Sequence, residues 1–412
     1  MPYERLEQAL AAELAEQERA GTRKGAEAVI VGVVPPADGR GPRYLLQDEG
    51  DRPFLRMNSN GYLGLALDSE IVGAEEAASR AYGVGPGAVR FISGTWAPHV
   101  ALENRLAAFH DRAAGMIFSS AYATVLGVLV PLITERTAVI SDALNHNCII
   151  NALRLARPAE KHVYAHLDMA ELERAMEAAA KTCQRAIVVT DGIFSMRGDH
   201  APLDEIMALA EKHDGDFAEN LLVMADDSHG VGAFGRTGRG TEEFTASPPV
   251  DLLVATLGKA FGVNGGYLVA GRTIVDFLRE RSPLYVYSNP ITPGEAAAAE
   301  AAVSLVAGAR GQAMLAHLRA MTRRFESGLV ALGYETIPGE HPVVPLMVRD
   351  TPRTSALVAH LRAAGVLATG LNFPVVPRGD EEIRFQISAD HTEADIDEAL
   401  AALQSFPGRG DD

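Results

Sequence analysis

Lys259 lies in the stretch Asp251 to Gly266, behind a short apolar run that ends at Thr256 and between Gly258 and Gly262. A lysine is ordinarily a solvated surface charge, because burying an ammonium is costly. This one has apolar or glycine neighbours and no acidic partner close in sequence. In such a setting the amine loses its proton readily and can form a Schiff base with a carbonyl compound. Four further polar groups close apolar runs in the same way: Ser119-Ser120, Asp142 to His146, Asp191 to Ser195, and Asp226 to His229. A lone acid or histidine at such a place is usually a cap or turn residue. Five groups together, with two histidines, acids and an isolated lysine, point to a cofactor site.

The elements that must position these residues are legible as an alternation. Short, uninterrupted apolar runs occur at Gly115 to Phe118, Ala138 to Ile140, Ala186 to Val189, Leu221 to Ala225, Leu252 to Ala255 and Tyr267 to Ala270. Segments with helical spacing lie between most of them, including Ile149 to Leu155, Met169 to Ala180 and Leu203 to Lys212. Buried parallel strands joined by helical crossovers give this signature, so the fold class is α/β. In an open parallel sheet the C-terminal strand ends line the ligand crevice, and the five polar groups should therefore converge.

Two glycine-rich stretches test a nucleotide reading. Gly230 to Gly235 satisfies G-x-G-x-x-G, but the following Arg236-Thr237-Gly238-Arg239-Gly240 does not open a helix, which a pyrophosphate site requires. Gly83 to Gly87 lacks the Lys-Ser/Thr of a P-loop. A monophosphate fits better. Ser119-Ser120-Ala121-Tyr122 leads into a helix over 121–129, whose free N–H groups and positive dipole end suit a phosphate dianion, and Thr256 could add a hydroxyl. A small phosphorylated aldehyde that needs a lysine, an acid for a ring nitrogen and a histidine for its π-face is pyridoxal 5'-phosphate.

The whole-chain properties set bounds. The 412 residues are 47% hydrophobic and 22% charged, the balance of a soluble globular protein organised as a large unit with a smaller one. A net charge of -17 argues against nucleic-acid or anionic-membrane partners. Two cysteines, Cys148 and Cys183, exclude a disulfide framework or zinc cluster. The charged start carries no visible signal peptide, and the longest apolar run, Val125 to Ile133, is too short to span a membrane, so a cytoplasmic location is expected. Leu6, Leu10 and Leu14 predict an amphipathic helix over 3–19, ending near Gly21 and packing on the body or on a second subunit. After Pro293 the spacing predicts helices over 295–307 and 312–332, then short strands at 343–348, 366–368 and 383–387. A last helix opens on Thr392 and Asp395. The expected divisions are an N-terminal segment 1–57, a cofactor-binding domain 58–292 and a small α+β domain 293–412.

Asn60-Gly61-Tyr62-Leu63-Gly64, Ser141 to His146, Asp226 to Gly232 and Thr256 to Ala260 together resemble the α-oxoamine synthases, the fold-type-I pyridoxal-phosphate family that joins an amino acid to an acyl-CoA thioester. Through Val89 to Thr95, Ser141 to His146 and Phe194-Ser195-Met196 the likeness is nearest to the 2-amino-3-ketobutyrate CoA ligase (glycine C-acetyltransferase) type. The resemblance implies Schiff-base formation and proton transfer at Lys259, a pyridinium-pairing acid at Asp226 and a ring-stacking histidine at His146. It also implies groups near the phenolic oxygen at His229 and Ser195, and phosphate contacts from Ala121, Tyr122 and, across a homodimer interface, Ser288. Asn60 and Arg384 would grip the substrate carboxylate, and no metal is implied.

Several positions depart from the family pattern: Arg197 where aspartate is common, Gly61 before Tyr62, Ala88 before Arg90, and Val125 in place of asparagine. These are expected around the acyl and thioester side, with Arg197 placed to contact an anionic part of the acyl donor. The implied activity is condensation of glycine or a small amino acid with an acyl-CoA. A decarboxylating relative of the 8-amino-7-oxononanoate synthase or serine palmitoyltransferase type is the second reading, and a non-catalytic partner subunit the third.

Overall fold

The computed structural model describes residues 3–20, 22–23, 27–373 and 375–407. Gly21, where the sequence ends its first helix, lies outside them. In chain order the strands are β1 (Ile30–Val34), β2 (Arg43–Leu46), β3 (Pro53–Arg56), β4 (Ala114–Phe118), β5 (Thr137–Asp142), β6 (Glu160–Tyr164), β7 (Arg185–Asp191) and β8 (Leu221–Asp226). They continue with β9 (Leu252–Thr256), β10 (Gly266–Ala270), β11 (Glu335–Thr336), β12 (Val343–Met347), β13 (Val366–Leu367), β14 (Thr369–Leu371) and β15 (Glu382–Gln386). Seven of them form the central sheet in the order β4-β10-β9-β8-β7-β5-β6. Pairing is parallel from β6 through β9, and β10 runs antiparallel to both β9 and β4.

The apolar runs form strands because side chains on both faces are buried. In β7, Ala186 and Val188 join one hydrophobic cluster while Ile187 and Val189 join the other; in β8, Val223 and Ala225 face the first and Met224 the second. This period-two division requires helices on both sides of the sheet, and each fully buried Val, Leu or Ile contributes about 1.5–3 kcal/mol. Helices over Ala121–Leu132, Asn147–Ala156, Met169–Ala179 and Leu203–His213 occupy the positions that the spacing predicts.

A smaller antiparallel sheet, ordered β11-β12-β15-β14, forms the C-terminal domain with helices Ala309–Ala331, Thr351–Ala363 and Glu393–Gln404. The last of these opens in a capping box: Thr392 Oγ1 accepts from the Asp395 N–H, and the Asp395 carboxylate accepts from the Thr392 N–H. The N-terminal strands join this part of the molecule, since β3 pairs in parallel with β13. Arg43 donates to Asp395 at 2.7 Å, and Asp395 also accepts from the Gly41 N–H at 2.8 Å.

Three elements depart from the sequence reading. The edge strand β6, Glu160-Lys161-His162-Val163-Tyr164, alternates charged and apolar residues and carries no continuous hydrophobic run. The helix Thr351–Ala363 was not expected between the strands at 343–348 and 366–368. The expected strand at 366–368 divides: β13 pairs with β3, and β14 with β15. Among the described residues no helix is long and apolar enough to cross a membrane.

Candidate active site

The five strand ends converge. A cavity of about 270 Å³ is lined by residues at or just beyond the C-terminal ends of β5, β7, β8 and β9 and by the start of the helix that follows β4. It brings together Ala121, Tyr122, His146, Ser195, Asp226, His229, Thr256 and Lys259. Parallel register explains the meeting of the acids, because Asp191 on β7 stands directly beside Asp226 on β8.

Lys259 is partly buried in this cavity. Burial lowers its ammonium from the usual range to about 8, against the opposing pull of Asp226 and Asp191. The amine is therefore available as a nucleophile near neutral pH. Of the tandem acids, only Asp226 faces the cavity; Asp227 turns to the other side of the chain and caps Thr241 through contacts of 2.6 and 2.7 Å. The Asp226 carboxylate accepts from the Ser228 N–H at 3.2 Å and the Ser228 hydroxyl at 2.5 Å, which fixes its orientation.

His146 forms the N-cap of the helix Asn147–Ala156, and its N–H donates to Asp191 at 3.1 Å. That cap holds the ring at the cavity, edge-on to Tyr122. His229 is buried, with its Nδ1 2.7 Å from the Tyr62 hydroxyl. Burial first, and then the positive charge of Lys259, holds its imidazole well below the usual pKa and hence neutral. Ser120 caps the helix over Ala121–Leu132 by accepting from the Ala123 N–H at 3.1 Å, which leaves the first-turn N–H groups of Ala121 and Tyr122 with no acceptor inside the helix. A Cβ on Gly266 would come within 2.3 Å of the Ala121 nitrogen, so glycine at that position lets the helix start sit against β10. The Thr256 hydroxyl donates to the Gly265 carbonyl at 3.1 Å and accepts from the Gly258 N–H at 3.0 Å.

Arg384 and Asn60 stand beside this cavity rather than in its lining. Arg384 Nη1 donates to the Ser195 carbonyl at 2.8 Å. The Gln386 amide is assigned with its oxygen towards the guanidinium, since the reverse sets donor against donor, and it then accepts from Arg384 at 2.9 and 2.6 Å. Ser288 is half-buried and outside the cavity, next to Tyr287, which is 79% exposed.

Asp191 and Ile193, within the Asp191 to Ser195 group that the sequence brings to the site without individual roles, also line the cavity, as does Cys148, which the sequence did not place there. Asp191 is buried with Oδ1 unpartnered, and burial together with the Asp226 charge holds its carboxyl well above the ordinary range. Its place at a strand end was the available signal. The Cys148 thiol lies 3.7 Å from Asp226, and burial pushes it upward, so it is an inert neighbour and not a nucleophile.

The departures from the family pattern do not all face the site. Val125 is fully buried in the hydrophobic core and lines neither this cavity nor the one beside it. Ala88 and Gly61 likewise lie outside both linings. Arg197 lines the neighbouring cavity, with its Nε donating to Asp199 at 2.8 Å. Arg90 is consumed structurally, by a two-pronged contact of 3.0 and 3.1 Å with buried Glu103.

A mostly parallel seven-stranded sheet, an amine and an acid at its strand ends, and a small C-terminal antiparallel domain define a fold-type-I pyridoxal-phosphate transferase. The family described as aminotransferase class I and II matches residues 52–403. The 8-amino-7-oxononanoate synthase of Symbiobacterium thermophilum is 39% identical over 353 residues, covering 85% of this chain and 88% of that protein. The mitochondrial 2-amino-3-ketobutyrate coenzyme A ligase of Homo sapiens is 38% identical over 352 residues, covering 85% and 82%. The solved structure of Sphingomonas wittichii serine palmitoyltransferase superposes with a TM-score of 0.86 at 25% identity, covering 98% and 97% of the two chains. The chain belongs to the class I and II aminotransferase family, in its α-oxoamine synthase branch, and is an acyl-transferring enzyme whose cofactor is pyridoxal 5'-phosphate. The residues present fit that cofactor: a partly buried amine, an oriented carboxylate, an imidazole and an anion-binding helix start share one cavity.

Proposed function

We propose that this enzyme condenses glycine or a similarly small amino acid with an acyl-CoA thioester, releasing CoA and an α-amino-β-keto acid. The observation that carries this reading is the joining of the Lys259 and Asp226 cavity to the Arg384 guanidinium through Ser195, which lines the cavity and accepts from Arg384. When bound, pyridoxal phosphate supplies an electron sink that acidifies the substrate Cα–H.

Asp226, kept aimed by Ser228, would hold a proton at the pyridine nitrogen by a charge-assisted contact. His146 would cover a ring face, and His229 and Ser195 would border the phenolic oxygen. The first-turn N–H groups of Ala121 and Tyr122 would bind the phosphate, with the Thr256 hydroxyl lining the same cavity. Lys259 Nζ would accept the Cα proton and return it later. Arg384 exchanges its contact with Gln386 for the substrate carboxylate, while Asn60 holds the other side of that group.

The active unit in this reading is a homodimer in the cytoplasm, with Ser288 reaching the phosphate of the partner's cofactor. The exposure of Val84 at 84%, Phe91 at 67%, Ile92 at 65% and Tyr287 at 79% supports a subunit that covers apolar side chains left open on this chain. The acidic net charge supports small-molecule substrates over nucleic acid or membrane partners.

The decarboxylating reading keeps its place because relatives of both names match at nearly equal identity. Carboxyl-labelled glycine separates the two when early time points are quenched into borohydride, which reduces the β-ketone before it can lose CO2 unassisted: retention of label in the reduced product supports the proposal, and its escape as CO2 in step with CoA release selects the decarboxylating reaction.

A further inference from the structure

A second cavity, of about 420 Å³, adjoins the first and shares His146 and Ser195 with it. Its walls are largely apolar, with Leu144, Phe194, Met196, Ile337 and Met347 among them. Asn145, Asn147, Arg197 and Asp380 are polar members of the lining, and so is Glu382. It is 2% exposed, and its Oε1 has no hydrogen-bond partner. Residues two apart on a strand share a face, so Glu382, Arg384 and Gln386 stand in a row along β15. Ile383 and Phe385, between them, enter the hydrophobic core. Arg384 meets Ser195 at the edge of the first cavity, and Glu382 lines the second one strand repeat further on.

An orphaned buried carboxyl costs stability unless a ligand satisfies it. We propose that this second cavity receives the acyl chain, and that Glu382 selects acyl donors carrying a hydroxyl group on that chain over plain alkyl donors. The inference rests on the acyltransferase reading above. Burial raises the Glu382 carboxyl to about 8, so near neutral pH it is mostly protonated and can both donate to a substrate hydroxyl and accept from it. Arg384 and Arg197 pull in the opposite direction without reversing this. Arg197, committed to Asp199, borders the same cavity.

The test compares butanoyl-CoA with 3-hydroxybutanoyl-CoA and 4-hydroxybutanoyl-CoA in CoA release with glycine. The comparison uses the wild-type holoenzyme, Glu382→Gln and Glu382→Leu. The wild type should favour one hydroxylated donor by about tenfold or more in kcat/KM. Glu382→Gln should keep most of that preference, and Glu382→Leu should reverse it in favour of butanoyl-CoA. The glycine-induced change in cofactor absorbance should persist in both variants, showing that the amino-acid side is intact. Equal use of all three donors by the wild type, a preference untouched by Glu382→Leu, or loss of the glycine response in both variants overturns the assignment. Absence of CoA release from all three donors, with acetyl-CoA or a longer acyl-CoA turned over, overturns the assignment; absence from those donors as well overturns the glycine and acyl-CoA condensation on which it rests.

Discussion

At Lys259 burial acts against charge. The folded chain holds this amine at about 8, below the ordinary lysine range near ~10.4, so between those values the folded state binds fewer protons than the unfolded one. The stability cost from this group is fully present below about pH 8 and is relieved as pH rises towards ~10.4. For chemistry the same shift means that capture of the cofactor aldehyde by apo-enzyme should quicken by about tenfold per pH unit below 8 and level off above it. Stopped-flow absorbance across that range checks this, and a midpoint near the ordinary lysine value contradicts it. Lys259 was readable in the sequence because glycine and apolar neighbours offer a lysine no solvated alternative. Asp226 and His146 were readable because each closes a strand. Asp191 was readable as part of its strand-end group, but its place beside Asp226 was not, because only pairing of β7 with β8 sets it there. Glu382 escaped for a related reason, since nothing in Asp380-Glu381-Glu382 says which acid is left with an unpartnered buried oxygen.

Among the elements, the central strands were legible because both their faces are buried, which leaves an unbroken apolar run. Direction was not, and β10 reads like its neighbours although it runs antiparallel to them. The edge strand β6 was hidden for the opposite reason, because a strand exposed on one face alternates. The link between the N-terminal strands and the last helix is a matter of long-range contact: Arg43, with a side chain 10% exposed, pairs with fully buried Asp395. Arg43→Met should lower unfolding free energy by about 3 kcal/mol, because it takes the guanidinium from a buried carboxylate that then keeps only the Gly41 and Thr392 donors. Urea denaturation measures this, and a change below about 0.5 kcal/mol would place the pair among the weak surface bridges.

For the whole molecule, the proposed homodimer would cover the exposed Phe91, Ile92 and Tyr287. Sedimentation of the holoenzyme should give twice the 43.8 kDa chain mass, and a monomer that turns over would remove Ser288 from the site. The first helix, Glu4–Arg19, buries none of its residues on its own chain, which fits the expectation of a second subunit better than packing on the body. In the proposed mechanism turnover depends on Lys259, which the five strand ends surround. Borohydride reduction of the holoenzyme followed by peptide mapping tests this most directly. The reduced cofactor should be found on the peptide containing Lys259, and Lys259→Ala, folded as judged by circular dichroism, should trap none and lose at least about 10³-fold in turnover. Cofactor trapped on another lysine, or wild-type turnover in Lys259→Ala, would contradict the assignment of this site.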